Sequence, residues 1–368
     1  MLKRFKINKF ITYRWLIFLL AFLFYIRFAH PASAFQFVAW GDTKSDTGVL
    51  TALSKQAKTL NPDFTLYAGD LESSGFTTAG MNTWKNAING SVNNGLFDIT
   101  FPVRGNHDSS NTADWQTYFD LAITAANISA TNYTALNTDT TYSFDFGNSR
   151  IIGLDVLGDV SSLPQAQITW IDQRLADAQS KGLTHAFIFF HGPIYCVAEH
   201  CSCSTITGCV PTQAINLINV MDKYPIVSAT FHGHEHVFTY THINKTRIPA
   251  ADREFEQFVV GDAGAGPDDP FAGRVDYAMD TSGNTGGFVL VDVNGPSYTV
   301  SFYKGKTTAP QKIFTFTKGP GGPTPTPSPS PSTTPPTIKQ LVSNYLTSVL
   351  DQNGDGKVNL RDIAVFFI

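Results

Sequence analysis

No apolar run in this 368-residue chain reaches the ~20 residues that a membrane-spanning helix needs. The longest, WLIFLLAFLFYI at 15–26, is cut by Arg27. Residues 1–14 before it carry Lys3, Arg4, Lys6, Lys9 and Arg14 and no acid, and PASA follows, ending at Ala34. A basic start, a short apolar core and a small-residue exit predict a secretory signal peptide over 1–34; a retained anchor is the competing reading. Basic charge is also scarce. Without residues 1–34, Lys plus Arg falls from 26 to 20 against 30 acidic residues, a net charge of about −10. That disfavours a nucleic-acid partner, which needs a basic surface, and suits a soluble exported protein without a membrane span. There is no G-x-S-x-G elbow and no P-loop, which sets aside a serine hydrolase and a nucleotide-driven motor. The four cysteines, Cys196, Cys201, Cys203 and Cys209, all fall in one stretch, CVAEHCSCSTITGC. An even number in an exported chain predicts two disulfides stapling a loop, with three possible connectivities. A zinc knot using His200 is the alternative, but the paired C-x-x-C spacing is missing.

Proline is concentrated instead. Residues 319–337, GPGGPTPTPSPSPSTTPPT, read as an extended, semi-rigid linker that joins neither ladder nor helix. It separates a body (35–318) from a tail (338–368). The body alternates buried strands with helices. FQFVAW (35–40), DFTLYA (63–68), ITFPV (99–103), RIIGLDV (150–156), HAFIFF (185–190) and IVSATF (226–231) are strand-like runs. Val49, Leu50, Leu53, Ala57 and Leu60 recur at helical spacing, and a second helix is expected from Pro164 to Gly182 on the stripe Ile168, Ile171, Leu175 and Ala178. Beyond 255 the pattern is mostly β. The expected class is α/β, layered sheets covered by helices.

The chemistry lies where the strands stop. FQFVAW is followed by Gly41-Asp42, DFTLYA by Gly69-Asp70, and ITFPV by Arg104-Gly105-Asn106-His107-Asp108. HAFIFF runs into His191, and IVSATF into His232-Gly233-His234-Glu235-His236, three of the chain's nine histidines in five residues. Ligand sites in such sheets form outside the carboxyl ends of the strands. Asp, Asn and His converging there predict a divalent-metal site of borderline-hard donors, suited to Zn, Fe or Mn. His234 and His236 share parity, so one strand end can reach two ions. His232 precedes that pair and is expected to pack behind the site.

This ordered five-block pattern resembles the calcineurin-like metallophosphoesterase superfamily, over about 36–316. The resemblance implies a four-layer α/β/β/α sandwich with two divalent or trivalent transition metals between the sheet edges. It implies that Asp70 bridges the ions, that Asn106, His191 and His234 complete one, and that Asp42 and His236 serve the other. His107 is then the general acid near the leaving group, with Asp108 beside it. The implied reaction is hydrolysis of phosphomonoesters or phosphodiesters by a metal-bound hydroxide. Two departures stand out. The superfamily's first block is usually Asp-x-His, whereas here it is Asp42-Thr43-Lys44, and an ammonium does not ligate. The purple acid phosphatase branch lacks that His too but places a Tyr three residues after the bridging Asp, and this chain has Ser73. Two ions are expected despite this, with the Asp42/His236 ion bound by three protein ligands and water, or aided by Glu72 or another oxygen. Alternatively that site is weak and Lys44 serves the phosphate; Arg104 is a second candidate for a phosphate contact. A non-catalytic surface or scaffold protein with a decayed centre is the reading from another class. The cysteine loop starts five residues after His191 and is expected near the metal rim.

In the tail, DQNGDGKVNLRD (351–362) matches a calcium loop, with Asp351, Asn353, Asp355 and Asp362 as oxygen ligands, the Lys357 carbonyl as another, and Gly356 at the turn. The closing Asp and Val358-Asn359 resemble one dockerin repeat, where dockerins normally carry two. The resemblance implies a small all-α calcium module and a cohesin-like or other surface partner.

Overall fold

The computed structural model describes residues 34–319, apart from Ser45, Ser74, 92–94, 109–111, 138 and 201–210, and the backbone of 322–327. The signal peptide, most of the linker and the calcium loop with Asp351, Asn353, Asp355, Lys357 and Asp362 lie outside these residues. The chain divides into two units, Met1–Ser328 and Pro329–Ile368, and everything described belongs to the first. No described helix is long and apolar enough to cross a membrane.

Two sheets carry the body. The first begins with three parallel strands, β1 (Phe35–Trp40), β2 (Phe64–Tyr67) and β3 (Thr100–Pro102). It continues on the other side of β1 with the antiparallel β12 (Gly287–Asn294), β13 (Ser297–Lys304), β14 (Lys312–Gly319) and β15 (Gly322–Pro327). The second sheet has a parallel centre of β6 (Ser149–Gly153), β7 (His185–Phe189), β8 (Val227–His232) and β10 (Phe255–Val260). It is flanked on one side by β5 (Thr141–Phe146) and β4 (Thr131–Asn137), and on the other by β9 (Phe238–Ile243) and β11 (Tyr277–Met279).

Phenylalanine fills the space between the sheets. Alternate residues of a strand face opposite ways. Phe37 on β1 therefore meets Phe187 and Phe231 of the second sheet, with ring centroids 5.4 and 5.8 Å apart, while Trp40 turns outward to Tyr67. Phe64 and Phe101 close on Phe144, and Phe258 on Phe302 and Phe316. Edge-to-face contacts dominate, the geometry that aromatic quadrupoles prefer. On the outer face of the first sheet lie α1 (Thr47–Thr59) and α2 (Thr78–Ile88), with Leu50, Leu53, Ala57, Met81 and Trp84 inward. Short α3 (Thr112–Tyr118) and α4 (Leu121–Asn127) follow. The second sheet is covered by α5 (Gln165–Ser180) and α6 (Thr212–Met221). The order is helix, sheet, sheet, helix, the four-layer α/β/β/α sandwich.

Pro164 caps α5, its fixed φ preparing the first turn, and Gly182 beyond its end takes φ +74°. The expected stripe Ile168, Ile171, Leu175 and Ala178 is buried against the second sheet. One expectation is corrected. The proline-rich stretch begins by joining the first sheet, with Pro323, Pro325 and Pro327 in β15 opposite Lys318, Phe316 and Phe314. Proline lacks a donor, but antiparallel partners exchange hydrogen bonds only at alternate positions. Thr324 and Thr326 fill those positions, so alternation with threonine lets an edge strand form where a continuous proline run would not.

His185 sits inside the second sheet, with Nδ1 2.8 Å from Ser228 Oγ and Nε2 2.9 Å from the Gly295 carbonyl. Burial pushes its pKa down to about 4. The unfolded chain therefore binds a proton between about pH 4 and 6.5 that the folded chain refuses, so stability rises with pH across that window and levels off above it. Denaturant titrations at pH 5 and 7 are expected to differ by about 2 kcal/mol from this residue. His185→Phe is expected to reduce the pH 5 to 7 difference by that amount, the other buried histidines keeping the remainder; an unchanged difference would show that His185 is not a source of it.

Candidate metal centre

The five strand ends come together at one edge of the seam. β1, β2 and β3 run parallel and deliver Asp42, Asp70 and Asn106 from the first sheet, while β7 and β8 deliver His191, His234 and His236 from the second. Three of these take left-handed backbone: Asp42 at φ +57°, Asp70 at +53° and His234 at +71°. Such conformations cost of order 1–3 kcal/mol each for non-glycine residues and persist only where the surroundings impose them. Here the imposition is visible. The Asp42 amide donates to the Gly69 carbonyl at 3.0 Å, and the His234 amide donates to both Asp42 oxygens at 3.1 and 3.0 Å. The glycines permit the closeness. A Cβ on Gly69, itself at φ +90°, would stand 2.7 Å from His191 Nδ1, and one on Gly233 would collide with Asp42 Oδ2 and the Ala68 carbonyl.

His191 is fully buried, and its Nδ1 donates to the Ala68 carbonyl at 2.8 Å. That fixes the tautomer and turns the Nε2 lone pair toward the cluster. Nε2 lies 2.9 Å from Asn106 Oδ1, 3.2 Å from His234 Nδ1 and 3.4 Å from Asp70 Oδ1, and His234 Nδ1 lies 3.1 Å from Asn106 Oδ1. Donors each ~2.1 Å from one ion stand roughly 3.0–3.4 Å apart in octahedral or tetrahedral geometry. The four distances, three of them meeting at His191 Nε2, suit donors gathered around one transition metal. Burial, then the neighbouring His191, pushes His234 down to about 3, which keeps it neutral and available as a ligand.

The second position is less complete. Asp42 Oδ1 and His236 Nε2 are 3.8 Å apart. Asp70 Oδ2 and His236 Nε2 are buried without a hydrogen-bond partner. Three carboxylate or imidazole groups thus face one space, which Lys44 enters, its Nζ 3.7 Å from Asp70 Oδ2. Burial, then Asp70, raises the Asp42 carboxyl well above its ordinary value. Burial would raise Asp70 too, but His191, the His107 amide, the His107 side chain and Lys44 outweigh it and hold Asp70 low.

His107 Nδ1 donates to the Ser73 carbonyl at 2.7 Å, leaving Nε2 3.9 Å from Asp70 Oδ2 on a side chain 34% exposed. Asp108 does not accompany it into the cleft. Its buried carboxylate accepts the amides of Leu71 and Gly105 at 3.0 Å and of Glu72 at 3.4 Å, binding together the turns that carry Asp70 and Asn106. Burial, then Asp70, pushes it up to about 8. Arg104 is corrected as a phosphate contact: it is 7% exposed and its fork is closed on Asp155, at 2.9 and 2.6 Å. Glu72 is not a substitute ligand, since it accepts the amide and hydroxyl of Thr77 at the start of α2. His232 is buried behind the site, edge-on to Phe190, with a pKa of about 3 imposed by burial.

Residues outside the five blocks complete the rim. Glu235, between two ligands, accepts the amides of Val197 and Ala198 at 2.8–3.0 Å and so ties the root of the cysteine loop to the ligand turn. Cys196 is buried, and no described cysteine is a free thiol. His200 Nδ1 lies 2.7 Å from Asp268 Oδ2, an oxygen that also accepts the His236 amide at 3.0 Å. Asp42, Asp70 and His191 form one group with metal-ligand spacing, and His200, His236 and Asp268 form another. Sequence reasoning missed Asp268, which lies on a loop with no strand-end signal.

A family profile described as calcineurin-like phosphoesterase matches residues 36–238. Comparison with curated proteins finds no match. Among solved structures, the chain is similar to a purple acid phosphatase from yellow lupin (Lupinus luteus) seeds, with a TM-score of 0.55 and 14% identity over 78% of this chain and 54% of that one. It therefore spans about half of the lupin protein's length. A dimetal phosphatase from Danio rerio gives 0.52 and 14% over 78% and 100%, and PhoD gives 0.53 and 12% over 82% and 73%. At these identities the likeness is one of fold.

Because Asp108 holds the turns on either side of two ligands, Asp108→Asn is expected to weaken metal binding about 10- to 100-fold. Competition with a chromogenic chelator measures this, and an unchanged affinity would mean that the ligand turns are held without it.

Proposed function

Because the chain belongs to the calcineurin-like phosphoesterase family, whose members are metal-dependent hydrolases, we propose that it hydrolyses phosphomonoesters or phosphodiesters outside the cell. The observation that carries this reading is the four-donor cluster of Asp70, Asn106, His191 and His234, at spacings that fit one ion. A transition metal held there supplies Lewis-acid chemistry, polarising the phosphoryl group and acidifying a water. The chain's own residues do the rest. Asp70, Asn106, His191 and His234 would hold the ion at the sheet edge, where the ester meets it. As the water oxygen bonds to phosphorus and the ester P–O bond breaks, His107 Nε2 gives its proton to the departing oxygen. The Ser73 carbonyl keeps the other ring nitrogen protonated, so the proton given at Nε2 is that of the imidazolium, and the neutral ring left behind retains its hydrogen bond to Ser73.

The rest of the proposal follows the sequence. The signal peptide exports the chain, the four cysteines pair in two disulfides beside the cleft, and the tail binds calcium through its single loop and docks on a cohesin-like or other surface partner. With Ser73 in place of a tyrosine, a bound ferric ion gives no purple charge-transfer colour.

His107→Ala is expected to lower kcat on an alkyl phosphate by about 10²- to 10⁴-fold, and far less on a nitrophenyl ester whose leaving group needs no proton. Metal content should not change. Equal losses on both esters would remove His107 from the acid role. No turnover of mono- or diesters with any of Zn, Mn or Fe, in a protein that holds its metal, would sink the hydrolase reading.

A further inference from the structure

The family's centre takes two ions, yet Lys44 extends into the place of one of them. Its Nζ stands 3.7 Å from Asp70 Oδ2, while Asp70 Oδ1 is turned to His191 and the His107 amide. Oδ2 is the oxygen that a bridging Asp70 would give to the other ion. The ammonium is no stray surface charge: the side chain is 16% exposed. Its backbone sits at φ +46°, a conformation rare for lysine, and its amide points to the Asp70 carbonyl at 3.3 Å. The turn that would present a ligand in an Asp-x-His block is thus used to aim a cation at the shared carboxylate.

The other donors on that side are few. Asp42 already accepts the His234 amide on both oxygens. Glu72 is committed to Thr77, and Ser73 offers its carbonyl to His107. Asp268 Oδ2 lies 3.7 Å from the other ring nitrogen of His236 and is engaged by His200 and the His236 amide. Among the described residues that leaves Asp70 Oδ2 and His236 Nε2, both without hydrogen-bond partners, facing the space that an ion and Lys44 would contest. A divalent ion among them would lie a few ångströms from the ammonium with little water between, and like charges so placed repel strongly. The four donors on the opposite side carry no such conflict.

We propose that the centre is loaded asymmetrically: Asp70, Asn106, His191 and His234 hold one transition metal tightly, and the Lys44 ammonium stands in for the second. Lys44 supplies a positive charge against the buried carboxylates and offers its remaining donors to a phosphoryl oxygen. The inference rests on reading the cluster as a metal centre, and not on turnover.

The test is a metal titration of the full chain, stripped with chelator and saturated with calcium so that the tail is filled. Zinc or manganese is then counted by elemental analysis after dialysis. The wild type is expected to retain one equivalent, lost in His191→Ala. Lys44→Met and Lys44→Gln are expected to retain two, the second at least 10-fold tighter than in wild type, whereas Lys44→Arg retains one. Two equally tight equivalents in the wild type would overturn the proposal, as would a count unmoved by either neutral substitution. A protein with one tight ion and no turnover would instead defeat the hydrolase reading and leave this one standing.

Discussion

Three carboxylates, Asp42, Asp70 and Asp108, are fully buried within one small region of the strand-end loops. Water does not solvate them, and uncompensated buried charge is among the costliest arrangements a protein can hold. The surroundings answer each differently. Asp108 is met by backbone amides, Asp70 by imidazole, amide and ammonium, and Asp42 by the His234 amide with an ammonium nearby. None of these amounts to a full countercharge, and Asp42 stays raised as a result. A bound cation resolves the deficit, so the fold at this edge is built around a charge the polypeptide does not itself contain.

The sheets exist to present that deficit. One cluster of phenylalanines presses two sheets together and brings β1 and β2 of one opposite β7 and β8 of the other. The ligands then stitch the seam at its end, His191 reaching Ala68 and His234 reaching Asp42 across the sheets. Packing and chemistry share the same residues there. A change at a ligand is therefore felt by the fold, and a change at a turn glycine by the chemistry.

How much of this could be read from the residues depended on whether a signal was local. Strand ends bearing Gly-Asp, Gly-Asn-His or Gly-His-x-His are local, and the six expected ligands do face one region. The β-rich end of the body was legible for the same reason, through alternating apolar residues. What escaped was set by distant partners. Arg104 looked free because Asp155, which binds it, is 51 positions away. Asp108 looked catalytic by adjacency, yet its oxygens turn to amides of another loop. Asp268 carries no pattern at all, and its place beside His236 arises only when the loop after β10 folds back. β4 was missed because an exposed edge strand with a polar face, as here in TNYTALN, has little apolar alternation to show.

The strand β15 has one further consequence. If Thr324 and Thr326 turn their amides inward to β14, the three prolines occupy the positions whose amides would point out of the sheet. The outer rim of the first sheet is thereby stripped of donors. A neighbouring chain seeking to extend the sheet by one more strand finds carbonyl acceptors there but no proline N–H to complete the ladder. Where the proline-rich segment leaves the body, it also guards the body against fibrous self-association.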